Sequence, residues 1–116
     1  MTVRVREPEV APGCGISSSA PAGPTTSPQG RSATTKAWAA ELGPSGIRVN
    51  AVSPGPTYTP GTAAQSAVLD QVAETLPSRR SSTSEEVAEA ITFLLSDSAA
   101  NIHGAILPVD GGRIAV

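Results

Sequence analysis

The chain has 116 residues and a formal charge of −2, with 16% charged side chains. That is room for one ordinary domain, and too little basic charge for a nucleic-acid binder. Hydrophobic residues make up 39% but aromatics only 3%, Trp38, Tyr58 and Phe93 being the whole set, so any core is a thin one of Ala, Val, Ile and Leu.

Cys14 and His103 are each the sole residue of their type, which excludes an internal disulfide and a closed four-ligand zinc site. No apolar run is long enough to span a membrane. Met1 to Pro12 carries Arg4, Arg6, Glu7 and Glu9 with no apolar core, unlike a secretory signal. The expectation is a soluble cytoplasmic protein with no membrane and no nucleic-acid partner.

Residues 1–31 hold five of the eleven prolines, Pro8, Pro12, Pro21, Pro24 and Pro28, with a Ser17-Ser18-Ser19 run among them. Their composition predicts a disordered Pro/Gly/Ser-rich segment over 1–32, too poor in bulky apolar residues to offset its ordering entropy. It is also the composition of GC-rich coding read in a shifted frame.

From residue 33 the pattern changes. Ala33 to Leu42 is Ala-rich and ends at Gly43-Pro44, predicting a helix with its stop. Ile47 to Ser53 reads as a short, mostly buried strand closed by Pro54-Gly55. A second helix is predicted over Ala63 to Leu76, with Val68, Leu69, Val72 and Leu76 on one face. Thr83 and Glu86 have capping-box spacing, and Val87, Ile91, Leu94 and Leu95 follow as a core-facing stripe. Ala105 to Val109 is an apolar strand before Asp110-Gly111-Gly112. Two buried parallel strands do not make a sheet by themselves, so the chain reads as part of an α/β fold.

Two blocks carry a family resemblance. The stretch Ala39 to Thr57, through Gly43-Pro44-Ser45-Gly46-Ile47-Arg48-Val49-Asn50 and Ser53-Pro54-Gly55-Pro56, resembles the short-chain dehydrogenase/reductase family. Arg80, Glu85-Glu86-Val87-Ala88, Phe93-Leu94, Ser96-Asp97, Gly104 and Val109-Asp110-Gly111-Gly112 match that family's last helix and last strand in order and spacing. The resemblance implies that 33–116 is the C-terminal fragment of a Rossmann-like doubly wound parallel sheet. It also implies hydride transfer between a nicotinamide (NAD or NADP) and an alcohol or carbonyl.

By the same resemblance, Pro54, Gly55, Thr57 and Thr59 stand in the loop that lies against the nicotinamide. Glycine permits close approach of the backbone, and a hydroxyl both donates and accepts. A Pro/Gly turn with solvent-facing threonines is the plain structural alternative. Asn50 is read as structural, Glu85 and Glu86 as first-turn capping residues, Arg80 as a structural hydrogen-bond donor and His103 as a turn residue.

The family's Tyr-x-x-x-Lys is absent: the one Tyr58 is followed four residues later by Thr62, and the one Lys36 is preceded by Ser32. In a gapless register those two positions fall on Pro24 and Pro28. Pro12-Gly13-Cys14-Gly15 is a poor imitation of a phosphate-binding turn, with no preceding apolar strand and no third glycine. Activity of this chain alone is therefore not expected. An alternative function is that of an interaction module, homo-oligomeric or joined to a homologous subunit through the Ile106-Leu107-Pro108-Val109 edge, or no function at all.

Overall fold

The computed structural model describes residues 2–6, 15–17 and 28–115. The chain divides into two compact units, Met1–Val52 with Ile91–Leu107, and Ser53–Ala90 with Pro108–Val116.

The first unit is built on a four-stranded sheet. Its strands are β1 (Thr2–Arg6), β2 (Gly15–Ser17), β3 (Ile47–Pro54) and β6 (Ile106–Val109), in the order β2-β1-β3-β6. β1 runs antiparallel to β2 and to β3, with Thr2 opposite Ala51 and Arg6 opposite Ile47. β3 and β6 run parallel, because their bonded residue numbers rise together. Gly104 N–H donates to the Val49 carbonyl at 2.8 Å, and Ala51 N–H to the Ala105 carbonyl at 2.9 Å.

Helix α1 (Pro28–Leu42) precedes β3 and stops at a 3-10 turn, Gly43–Ser45, where Pro44 ends the ladder. Ala39, Val49, Ala51, Val52, Leu94 and Ala99 form the unit's buried apolar set. Three polar residues, Thr35, Arg48 and Asn50, share that interior. Arg48 and Asn50 are 3% and 1% exposed, and each is satisfied by main chain. Arg48 Nη1 donates to the carbonyls of Leu94 and Ala99, both at 2.9 Å, and Nη2 donates to Ser96 at 3.1 Å. Asn50 Nδ2 donates to the Ile102 carbonyl at 2.7 Å, while its Oδ1 accepts from Ala105 N–H at 2.9 Å. Asn50 thereby ties β3 to the chain on its approach to β6, beside the main-chain bonds at Gly104 and Ala105.

The second unit holds a two-stranded parallel sheet, β4 (Thr57–Tyr58) with β5 (Ser82–Thr83), registered Thr57 to Ser82 and Tyr58 to Thr83. Between them lie a 3-10 helix, Pro60–Gln65, and helix α2 (Ser66–Glu74). Helix α3 (Ser84–Leu95) begins directly after β5. Its start is a reciprocal capping box: Glu86 N–H donates to Thr83 Oγ1 at 3.2 Å, and Thr83 N–H to Glu86 Oε2 at 2.9 Å. Gly111, at φ 66°, lets its carbonyl accept from Ser78 N–H at 3.0 Å, and a side chain there would run into that of Ser78.

The predicted helix, strand, helix, helix, strand elements occur in that order as α1, β3, α2, α3 and β6, with the unpredicted two-residue strands β4 and β5 added between them, and the chain is α/β with parallel strands. The helices differ most from expectation. α1 begins at Pro28 rather than Ala33, since proline is well suited to a first helical position. α2 is shorter than predicted, because Thr59 and Pro60 start a 3-10 helix in place of its first turn. Its face also shifts: Ala73 and Leu76 are buried, while Val68 is 60% exposed.

In residues 1–31, where no regular element was expected, β1 and β2 are present. Thr2-Val3-Arg4-Val5-Arg6 alternates β-branched and charged residues, a strand pattern, and β3 offers a ladder edge to fill. The rest of the predicted 1–32 segment before Pro28, Cys14 included, lies outside the described residues.

Candidate functional site

All four residues assigned by resemblance to a nicotinamide loop lie in the second unit. Pro54 ends β3 and cannot donate to a ladder, so the strand stops there. Gly55 N–H donates to the Val109 carbonyl at 2.9 Å. A Cβ on Gly55 would stand 2.7 Å from Asp110 Cα, so this position requires glycine for close backbone approach. That is the physical reason for Pro-Gly here.

The two threonines differ in what they have left to offer. Thr57 Oγ1 donates to the Gly55 carbonyl at 2.9 Å. Its hydrogen is spent, and its lone pairs remain for an N–H donor. Thr59 caps the 3-10 helix instead. Its Oγ1 accepts from Thr62 N–H at 3.2 Å, and Thr62 Oγ1 accepts from Thr59 N–H at 2.9 Å. Thr62 Oγ1 lies 3.1 Å from the Thr57 carbonyl as well. The Thr-x-x-Thr spacing at 59–62 is a capping signal that sequence reasoning passed over.

The loop is held from outside by bonds to its main-chain carbonyls. Ser82 N–H donates to the Pro56 carbonyl at 2.8 Å, and Ser84 Oγ to the Tyr58 carbonyl at 3.1 Å. The Tyr58 hydroxyl donates to Asp70 Oδ1 at 2.6 Å. The Asp70 carboxylate holds the proton on the phenol by this bond, and its charge, with some desolvation, raises the Tyr58 pKa further. This pair was not foreseen from sequence, because the partners lie twelve residues apart on different elements.

A cavity of about 270 Å³ in the same unit is lined by Ser78, Arg80, Ser82, Glu86, Asp110 and Gly111 among others, and by none of the four loop residues. Arg80 grips Glu86 through both guanidinium branches, Nη1 to Oε2 at 2.9 Å and Nη2 to Oε1 at 2.5 Å. That bond, with the Thr83 N–H behind it, holds the Glu86 carboxyl down at about 2 and raises Arg80. Arg80 is thus the structural donor expected of it. His103, expected in a turn, lies exposed in the irregular connection before β6.

Among the described residues there is no cluster of His, Cys, Asp and Glu fit to hold a metal ion. No helix there is long and apolar enough to cross a membrane.

Comparison with known proteins bears on the family and the fold. The family model described as enoyl-(acyl carrier protein) reductase matches residues 25–113. A cis-4-hydroxycyclohexanecarboxylate dehydrogenase from Sinomonas cyclohexanicum is 51% identical over 83 residues, 71% of this chain and 33% of its own. L-xylulose reductase from Bos taurus is 46% identical over 88 residues, covering 70% of this chain and 34% of its own.

Among solved structures, an Agrobacterium tumefaciens protein described as a candidate 2-deoxy-D-gluconate 3-dehydrogenase, with bound NADP, superposes with a TM-score of 0.68. It is 41% identical, with 76% of this chain and 37% of that one covered. A Burkholderia thailandensis oxidoreductase of the short-chain dehydrogenase/reductase family gives 0.70 at 39% identity, over 76% and 36%. The chain belongs to the short-chain dehydrogenase/reductase family. It spans about a third of the length of the curated relatives it matches.

Proposed function

We propose that residues 33–116 are the C-terminal portion of an NAD(P)-dependent short-chain oxidoreductase fold, and that their contribution to it is the nicotinamide-side loop Pro54 to Thr59. The observation that carries this reading is the Gly55–Asp110 approach beside a Thr57 hydroxyl that gives its hydrogen to the Gly55 carbonyl and so turns its lone pairs to an outside donor.

The residues present fit a nicotinamide. Gly55 and Pro54 give a flat, stiff stretch of backbone, and Thr57 offers an acceptor for a carboxamide N–H. Thr59 acts behind it, capping the 3-10 helix that follows. When bound, the nicotinamide supplies the hydride; this loop orients its carboxamide end and moves no proton. The bound NADP of the Agrobacterium tumefaciens relative supports the cofactor class.

The 116-residue chain by itself turns over no substrate on this reading. It has no Tyr-x-x-x-Lys to exchange a proton with a substrate oxygen, and acid–base assistance of that kind contributes about 10²–10⁴-fold. A cofactor-absorbance assay at high protein concentration tests this, with Thr57→Ala plus Thr59→Ala as control. No turnover is expected. Turnover that vanishes in the double variant overturns the inactivity and keeps the loop assignment.

Binding is read separately, by thermal melting with and without NADPH, since a ligand of the native state must raise the midpoint. A rise abolished by Thr57→Ala supports the loop, and a rise indifferent to it counts against the loop.

A second reading is favoured by one observation: β6 ends the strand order β2-β1-β3-β6 and so leaves a ladder edge. On that reading the chain pairs with a homologous subunit, or a second copy, through residues 106–109. Co-purification with a full-length homologue, lost on Leu107→Lys, tests it.

A further inference from the structure

We propose that Tyr58 and Asp70 are a positioning pair, in which the phenol clamps α2 to the loop carrying Thr57 and Thr59 and thereby sets where those hydroxyls stand; this rests on the loop assignment made above. The bond is 2.6 Å long, in the range of a charge-assisted O–H···O⁻ contact.

Tyr58 is well placed for such work. Its main chain is anchored through the β4–β5 register with Thr83 and through Ser84 Oγ on its carbonyl. Its hydroxyl is anchored to α2. One residue, standing between Thr57 and Thr59, therefore ties the β5–α3 junction to α2.

The helix at the other end needs the tie. α2 has nine residues and buries only Ala73, Leu76 follows as the next buried residue, and Val68 is 60% exposed. A second polar tether, Ser81 Oγ to the Leu69 carbonyl, is long at 3.5 Å. With so little apolar area to hold the helix in place, the placement of α2 depends on the Tyr58–Asp70 bond. The Thr59–Thr62 capping box starts one residue beyond Tyr58, so a shift of Tyr58 is passed directly to Thr59.

The test uses the full chain and needs no cofactor, so it stands apart from the nicotinamide assignment. Tyr58→Phe removes one oxygen and keeps the ring. Asp70→Asn removes the charge and keeps a carbonyl acceptor. Native-state amide exchange at Thr59 and Thr62 is expected to speed up about three- to tenfold in Tyr58→Phe and less in Asp70→Asn, with Val49 and Ala51 unchanged. Because Tyr58 is the only tyrosine, absorbance titration reads a single phenol, and its midpoint is expected to fall in Asp70→Asn.

Unchanged exchange at Thr59 and Thr62 in Tyr58→Phe overturns the proposal. So does an unmoved phenol midpoint in Asp70→Asn, which would mean that the bond is not made in solution. Exchange accelerated equally at Val49 and Ala51 also overturns it, by reducing the effect to general stability. Loss of the NADPH-induced melting shift with the exchange result intact would remove the nicotinamide assignment and leave the clamp.

Discussion

The guanidinium of Arg48 in β3 donates to the main-chain carbonyl of Leu94 in the last turn of α3, at 2.9 Å. α3 has acidic residues in its first turn and no basic residue in its last. The cation that complements its C-terminal dipole comes from a strand 46 residues earlier in the chain. Arg48 thus satisfies a carbonyl in the last turn of α3 that the helix cannot bond itself, and it adds a charged donor to the Ser96 and Ala99 carbonyls just beyond the helix.

Arg48→Met keeps the side chain's reach and removes every donor. Buried carbonyls lose charged partners, and destabilisation of about 2–4 kcal/mol is expected. Arg48→Lys should recover part of this, since one ammonium cannot reproduce a planar fork. Urea unfolding of the three proteins gives the order directly.

Asn50→Leu is a second test of the same interior. It leaves the Ile102 carbonyl and the Ala105 N–H unpaired beside a 1% exposed site. The expected loss is about 2–5 kcal/mol. Asn50→Asp should fail too, because a carboxylate cannot donate to the Ile102 carbonyl. A neutral result for either variant in thermal melting would show that the side chain does not bridge to the approach of β6.

How much of this was legible in the sequence follows from where each signal lies. β3 was legible because Ile47 to Ser53 is apolar enough to be buried and Pro54-Gly55 stops it. The start of α3 was legible because a capping box is a local pattern of four residues. Arg48 was not, although a charge inside Ile47-Arg48-Val49 is the mark of a buried cation awaiting distant acceptors. β4 and β5, two residues each, are too short to show any period. Val68 followed the expected helical stripe and still faces solvent, because the helix turns Ala73 inward instead. In the loop, Pro54, Gly55, Thr57 and Thr59 were found together by resemblance, but only coordinates separate Thr57, with lone pairs to offer, from Thr59, used as a cap.

Gly55→Ala and Gly61→Ala make a matched pair of predictions. At Gly55 the new methyl meets Asp110 Cα at 2.7 Å and Cβ at 2.9 Å, so backbone must move, and a loss of about 1–3 kcal/mol is expected. At Gly61 the nearest atom is Thr59 Oγ1 at 3.7 Å. There the alanine restricts the unfolded chain and should be neutral or stabilise by up to about 1 kcal/mol. Chemical denaturation of both variants checks the contrast.

Acid should weaken the start of α3. The Arg80 bond, supported by Thr83 N–H, holds Glu86 at about 2 in the folded chain, below its unfolded value of about 4.3. A depressed carboxyl stabilises fully above the unfolded value. It loses that contribution as pH falls through the window down to about 2. Both partners are substantially exposed, at 59% and 40%, so the effect is modest and screened by salt. Glu86→Gln should flatten the melting temperature between pH 5 and 2 relative to wild type, and added salt should shrink the difference. Parallel acid limbs for the two proteins would refute it.

The Asn50 bridge also has a consequence for how the chain is made. Asn50 and Ala105 are 55 residues apart, and synthesis proceeds at about 5–20 residues per second. The strand therefore waits ~3–11 s on the ribosome before its C-terminal partner exists. Contacts of such separation also form slowly once the chain is complete. Of the two strands that flank β3 in the finished sheet, β1 has already been synthesised by then and β6 has not. The nascent protein thus passes through a stage in which the parallel β3–β6 pairing is still unmade, while β1, the other strand that flanks β3 in the described sheet, is already present.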